Sequence, residues 1–200
     1  MALMDPYGLM LVSVETWGLM WAFVSFGFIL GGAVVARRGL GANPVRTLLL
    51  TNVALWVICV LFPARSWILL VAAGMFAFMV LIPVVEASEQ TIIQRVVPFE
   101  EQGRVFGFAQ SVETAASPVT AFLLGPITQI WVIPLMTTGA GAEAIGGWFG
   151  TGADRAIALV FMVSGLLGLV ATLLALRSRA YADLSTRYAR ARGDVGAPTA

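Results

Sequence analysis

Five apolar stretches, residues 9–36, 47–64, 67–85, 105–124 and 156–176, leave this chain few ways to fold. Each is close to the ~20 helical residues that cross the hydrocarbon core of a bilayer. Backbone groups in lipid must bond within their own segment, so each stretch is expected to be a helix. The arginines are sorted around them. Arg37, Arg38, Arg46, Arg95, Arg104, Arg177, Arg179, Arg187, Arg190 and Arg192 fall in the connectors after the first and third stretches and in the C-terminal segment. The alternate connectors hold only Arg65 and Arg155. Positively charged loops stay in the cytoplasm, so this alternation places the first connector and the tail inside and the N-terminus outside.

Composition agrees. Charged residues are 12 % of the chain, against about 25 % in a typical soluble domain, and hydrophobic residues are 59 %. The expected architecture is an all-α integral membrane bundle of about five transmembrane helices. Residues 1–180 form the membrane domain, with the third helix continuing to residue 94, and residues 181–200 form a cytoplasmic tail. The net charge of +1 gives no reason to expect nucleic acid, since the arginines sit at membrane edges. The chain has no histidine and one cysteine, Cys59, which excludes an internal disulfide and the common His/Cys metal sites. Residues 1–10 lack a basic start, and the first apolar run is too long for a signal peptide, so no cleavable leader is expected.

Small residues mark where helices meet. Gly27 and Gly31 are one turn apart, as Gly168 is from Ser164 and Gly165, and such spacing lets two backbones approach closely. The turn at residues 63–66 is so short that the second and third spans must be antiparallel neighbours. Residues 96–99, with Pro98, end the third helix, and residues 100–104 lead into the fourth. The fourth is expected to stop at Gly125-Pro126. Residues 127–136 are too few to span and are expected to lie at the outer interface or to pack over the outer mouth, with Trp131 and Trp148 in the headgroup zone. Residues 193–200 are expected to be disordered.

No catalytic constellation is present: there is no nucleophile–base pair and no phosphate loop. The informative residues are polar ones at membrane depth. Glu113 lies about nine residues into the fourth span, roughly 14 Å deep. An ionised carboxylate there costs several kcal/mol unless it meets water, a partner or a cavity. It fits proton coupling or contact with a cationic substrate. A protonated carboxyl bonded to a neighbouring helix satisfies the same cost. Gln110, Ser117 and Thr120 share much of its face, at i−3, i+4 and i+7. That stripe either lines a cavity or makes interhelical hydrogen bonds. Glu86 and Glu89, one turn apart at the inner end of the third helix, read as solvated charges that pair with loop arginines, or as a gate that does so in one state only. Pro83 and Pro118 each permit a kink.

Two connectors carry a resemblance. Residues 32–39, Gly-Ala-Val-Val-Ala-Arg-Arg-Gly, resemble the glycine/arginine loop motif of the major facilitator superfamily. Gly32, Arg37 and Gly39 match, and Ala36 stands where the motif has aspartate. Residues 94–107, including Arg95, Gly103 and Arg104, resemble the connector before that family's eleventh helix, most closely in the branch of macrolide and siderophore exporters. The resemblance implies that the five spans are helices eight to twelve of a twelve-helix carrier, an incomplete C-terminal half. It implies proton-coupled efflux of small amphipathic molecules, with Gly32, Arg37, Gly39, Arg95, Gly103 and Arg104 in the cytoplasmic loop motifs, beside the candidate gate carboxylates Glu86 and Glu89. It also implies a bacterial inner or plasma membrane, no cofactor or metal, and a missing N-terminal half or second chain as partner alongside the bilayer and a small-molecule substrate. The alternatives are a non-transporting membrane scaffold or inactive remnant and, more remotely, a membrane-embedded enzyme.

Overall fold

A computed structural model of the protein describes residues 3–194, apart from the side chains of Ser117 and residues 192–194. Among the described residues the chain is helical and has no strand. Five of its helical stretches are long and apolar enough to cross a membrane. The arginine-rich end is called inner below and the opposite end outer.

The first apolar stretch is not one helix. It divides into α1, Met4–Leu11, and α2, Val14–Arg38. Val12 is fully extended, and Ser13 caps α2 by accepting a hydrogen bond from the Thr16 amide. A serine in that role satisfies an orphan helix donor and fixes the start. At its other end α2 stops at Gly39, whose φ of 67° suits glycine and whose amide returns to the Val35 carbonyl at 2.8 Å. Asn43 then caps α3, Pro44–Leu61, by accepting from the Arg46 amide, with Pro44 pre-set for the first turn.

A 3-10 turn at Phe62–Ala64 leads into α4, Ile68–Val96. The corner at Val97-Pro98 ends α4 as expected. Residues 100–104, which lead into the fourth span, are helical and form the opening turns of α5, Phe99–Ile127. The Gln102 side chain reaches back and donates to the carbonyls of Gln94 and Val97, which closes the orphan end of α4.

The expected stop at Gly125-Pro126 does not occur. Pro126 removes one backbone donor, and the helix continues by widening into a π turn at Thr128–Val132 before α6, Ile133–Thr137. Residues 127–136 therefore extend the fourth span outward instead of lying as a separate interfacial piece. Met136 is fully buried there, while Trp131 and Trp148 are both 74 % exposed. The chain then forms α7, Ala140–Phe149, the last span α8, Ala153–Leu176, and α9, Arg179–Asp194. Gly193 and Asp194 thus belong to a helix, and residues 195–200 lie outside the described residues.

Helices α2, α4, α3 and α8 pack side by side in that order. Glycines set the contacts. A Cβ on Gly27 would stand 2.8 Å from the Phe76 carbonyl, and one on Gly31 would strike the Val80 carbonyl. Gly165 and Gly168 admit Trp56 of α3 in the same way. Between helices in lipid, close van der Waals approach replaces the hydrophobic effect as the driving force. Large side chains such as Phe26, Phe122 and Leu167 face outward, 64–79 % exposed, as a lipid solvent requires. Helix α5 stands off from this row. Its close approaches are to α4 across the corner and, through the π turn, to α8.

Candidate functional site: a central cavity and its two ends

The stand-off of α5 leaves a cavity of about 580 Å³ between it and the other four spans. Glu113, Ala116, Thr120 and Leu124 line one wall, a single face of α5 at i, i+3, i+7 and i+11. The facing walls bring Asn52, Trp56 and Cys59 from α3, Met79 and Ile82 from α4, and Ser164 from α8. The lining is mostly apolar and aromatic, with a few polar groups, as is usual for a small-molecule site. Asn52 lies about 12 Å from the inner start of α3, and Glu113 about 14 Å beyond Arg104, so the two reach similar depth. Neither side chain has a hydrogen-bond or ion-pair partner among the described residues. The packed alternative for Glu113, a bond to a neighbouring helix, is absent from this arrangement.

The polar stripe divides. Glu113 and Thr120 line the cavity, although the Thr120 hydroxyl donates to the Ala116 carbonyl of its own helix at 2.6 Å. Gln110 is exposed and is not among the lining residues. The Ser117 side chain lies outside the described residues. Asn52 was not singled out by sequence; the available signal was that it is the one amide within the second apolar stretch. Ser164 stands in the cavity wall rather than serving only as a small packing residue.

The residues assigned to an inner gate or loop motif are mostly exposed. Glu86 and Glu89 are exposed and pair with no arginine among the described residues. Helix α9 packs on the α4 face that carries Ile92 and Val96, and the two carboxylates are exposed elsewhere. Gly32 and Gly103 face open space, while Arg37 and Arg104 are exposed. Of this set, Arg95 has a specific contact, its guanidinium 5.6 Å from the Tyr188 ring of α9. Tyr188 packs with Val45 and Ile92, and the Asn43 amide donates to Ser185 at 2.6 Å. The segment read as a polar tail is thus an amphipathic helix docked under α3 and α4.

The outer end holds a polar cluster that sequence did not reveal. Arg155, 3 % exposed, donates to the Asp154 carboxylate at 3.1 Å, to the Pro63 and Ala64 carbonyls and to the Tyr7 hydroxyl at 3.4 Å. Its guanidinium lies 5.2 Å from the Phe149 ring. One cation therefore ties α1, the 3-10 turn, α7 and α8 together, and the Ser66 hydroxyl donates to the same Asp154 carboxylate. Burial pushes the Tyr7 phenol above its ordinary pKa, with the Arg155 charge pulling the other way.

No family model, no curated protein and no solved structure matches the chain.

Proposed function

We propose that this membrane protein supplies one wall of a secondary transporter, the C-terminal half of a major facilitator-type carrier that exports small amphipathic molecules in exchange for protons. The observation that carries the reading is the Glu113 carboxylate, unpartnered and facing a central cavity of about 580 Å³ with mostly apolar walls. An ionised carboxylate at that depth is costly unless it meets water, a partner or a cavity, and one that faces a cavity is placed to exchange protons or to hold a cation. An aromatic and aliphatic lining suits the apolar part of an amphipathic guest. The turns at Gly39 and Val97-Pro98 support the reading, because they give the two connectors the tight inner geometry that the resemblance calls for. The wide exposure of α5 supports a second helical bundle as the partner that completes the cavity. The site is a bacterial inner or plasma membrane on this reading, and no reaction chemistry is assigned.

The test uses the chain in lipid nanodiscs with tetraphenylphosphonium, an amphipathic cation, as probe. Binding is followed by tryptophan fluorescence and proton release by a pH-indicator dye. Coupled exchange at Glu113 predicts that binding releases protons, and that Glu113→Gln abolishes the release while keeping the fold. Binding without proton release in the wild type, or release that persists in Glu113→Gln, sinks the proton-coupling assignment.

A further inference from the structure

The outer end of the cavity is stopped by α1. Leu3 and Met4 line it together with Phe62 and Leu124 from the outer ends of their helices. Met4 is 4 % exposed, so it is packed into the outer wall of the cavity. Helix α1 is only eight residues long and crosses no membrane, and it is joined to α2 by the extended residue Val12. It is pinned at two points. Asp5 Oδ1 accepts from the indole N–H of Trp17 at 3.0 Å and of Trp21 at 3.2 Å. Tyr7 is fully buried and its hydroxyl accepts from Arg155. Trp21 is itself a cavity-lining residue, so the first pin sits on the wall of the space that α1 closes. Gly8 permits the seating, since a Cβ there would strike the Trp17 ring.

We infer that α1 is the outer lid of the cavity, latched by the Asp5–Trp17/Trp21 and Tyr7–Arg155 hydrogen bonds and hinged at Val12-Ser13. Both latches break without unwinding a spanning helix, because α2 starts beyond the hinge with its own Ser13 cap. Loss of the latches admits water to the cavity from the outer side, whatever the cavity carries.

Cys59 reports on this directly, because it is the chain's one thiol and it lines the cavity. Proteoliposomes are treated from the outer side with a charged, membrane-impermeant methanethiosulfonate. Asp5→Leu removes the acceptor and is expected to label about tenfold faster than wild type, the scale of a lost hydrogen bond to a charged group. Asp5→Asn keeps Oδ1 as an acceptor and is expected to label at close to the wild-type rate. Wild-type rates in both variants overturn the lid, and equal acceleration in both overturns the hydrogen-bond latch. Should Asp5→Leu fail to insert, Tyr7→Phe tests the second latch: faster labelling supports the lid, and an unchanged rate overturns it.

Discussion

The two ends of the bundle are held in different ways. The outer end has a continuous core that runs from Met4 and Tyr7 through Trp17, Met20 and Phe62 to Met136, Phe149 and Ile157. A buried guanidinium bonded to four partners lies within it. The inner end is closed by a small cluster of Val45, Ile92 and Tyr188, one side-chain hydrogen bond and one cation–π contact. Both ends rest on the same four packed helices, so the difference lies in what covers them. The outer cover is several short elements tied by one cation, and the inner cover is a single amphipathic helix.

The comparison first requires that the ends be on opposite sides of a membrane. A reporter fused after Ala200 is expected to read cytoplasmic, and one placed between Thr138 and Gly139 external. The effect is all or none. The same side for both breaks the five-span arrangement and with it the meaning of inner and outer.

The next largest effect belongs to Arg155. Arg155→Met keeps bulk but leaves Tyr7 and two carbonyls without their donor, and Asp154 with the Ser66 hydroxyl and no cation. Removing one member of a buried charged network leaves the others unsatisfied, and a loss of about 3 kcal/mol is expected. Thermal unfolding in detergent micelles measures it. A change below about 0.5 kcal/mol, the scale of an ordinary surface substitution, would mean that the apolar core alone holds the outer end.

Tyr188→Ala is the inner counterpart. It removes the centre of a three-residue cluster and the partner of Arg95, and about 2 kcal/mol of docking is expected to go. The loss should be local. Trypsin is expected to cut faster at Arg187 and Arg190 while the midpoint of global unfolding stays put. A fall in global stability as large as that of Arg155→Met would erase the contrast between the ends.

How much of this was legible in the sequence depends on whether the cause is local. Gly27, Gly31, Gly165 and Gly168 announced their packing because one-turn spacing of small residues on an apolar helix has few other uses. Helical period put Glu113 and Thr120 on one face, and both line the cavity, while Gln110 of the same stripe is not among the lining residues. The break at Val12-Ser13 was not, because an apolar window averages over a single extended residue. The run through Pro126 was missed because proline is a reliable stop in water and a negotiable one where neighbouring turns can widen. The docking of α9 had a signal that polar composition hid: Tyr181, Leu184 and Tyr188 recur at i, i+3 and i+7. Arg155 had none. It looked like an exception to the charge asymmetry, and its partners at Tyr7, Pro63 and Ala64 lie far away in the chain.

The smallest effect separates the two components of the outer end. Tyr7→Phe removes one hydroxyl, and its bond to Arg155 is long at 3.4 Å, so a loss of about 1 kcal/mol at neutral pH is expected. The sharper reading is in alkaline solution. The phenol's pKa is raised from its ordinary value of 10.0, first by burial, which disfavours the phenolate, while Arg155 opposes the shift. The folded chain therefore holds this proton more tightly than the unfolded chain. Stability from that preference is fully present below the unfolded pKa and is lost as pH rises through the folded one. The wild type should thus lose stability above about pH 10 by an amount that Tyr7→Phe does not lose. A parallel decline in both proteins would show that burial of the phenol contributes nothing, leaving Arg155 and its carbonyl partners as the polar hold on α1's end of the molecule. A wild-type decline that Tyr7→Phe abolishes would show that the apolar seat of α1 and the cation beside it act on the same side chain in opposite directions, with burial the larger.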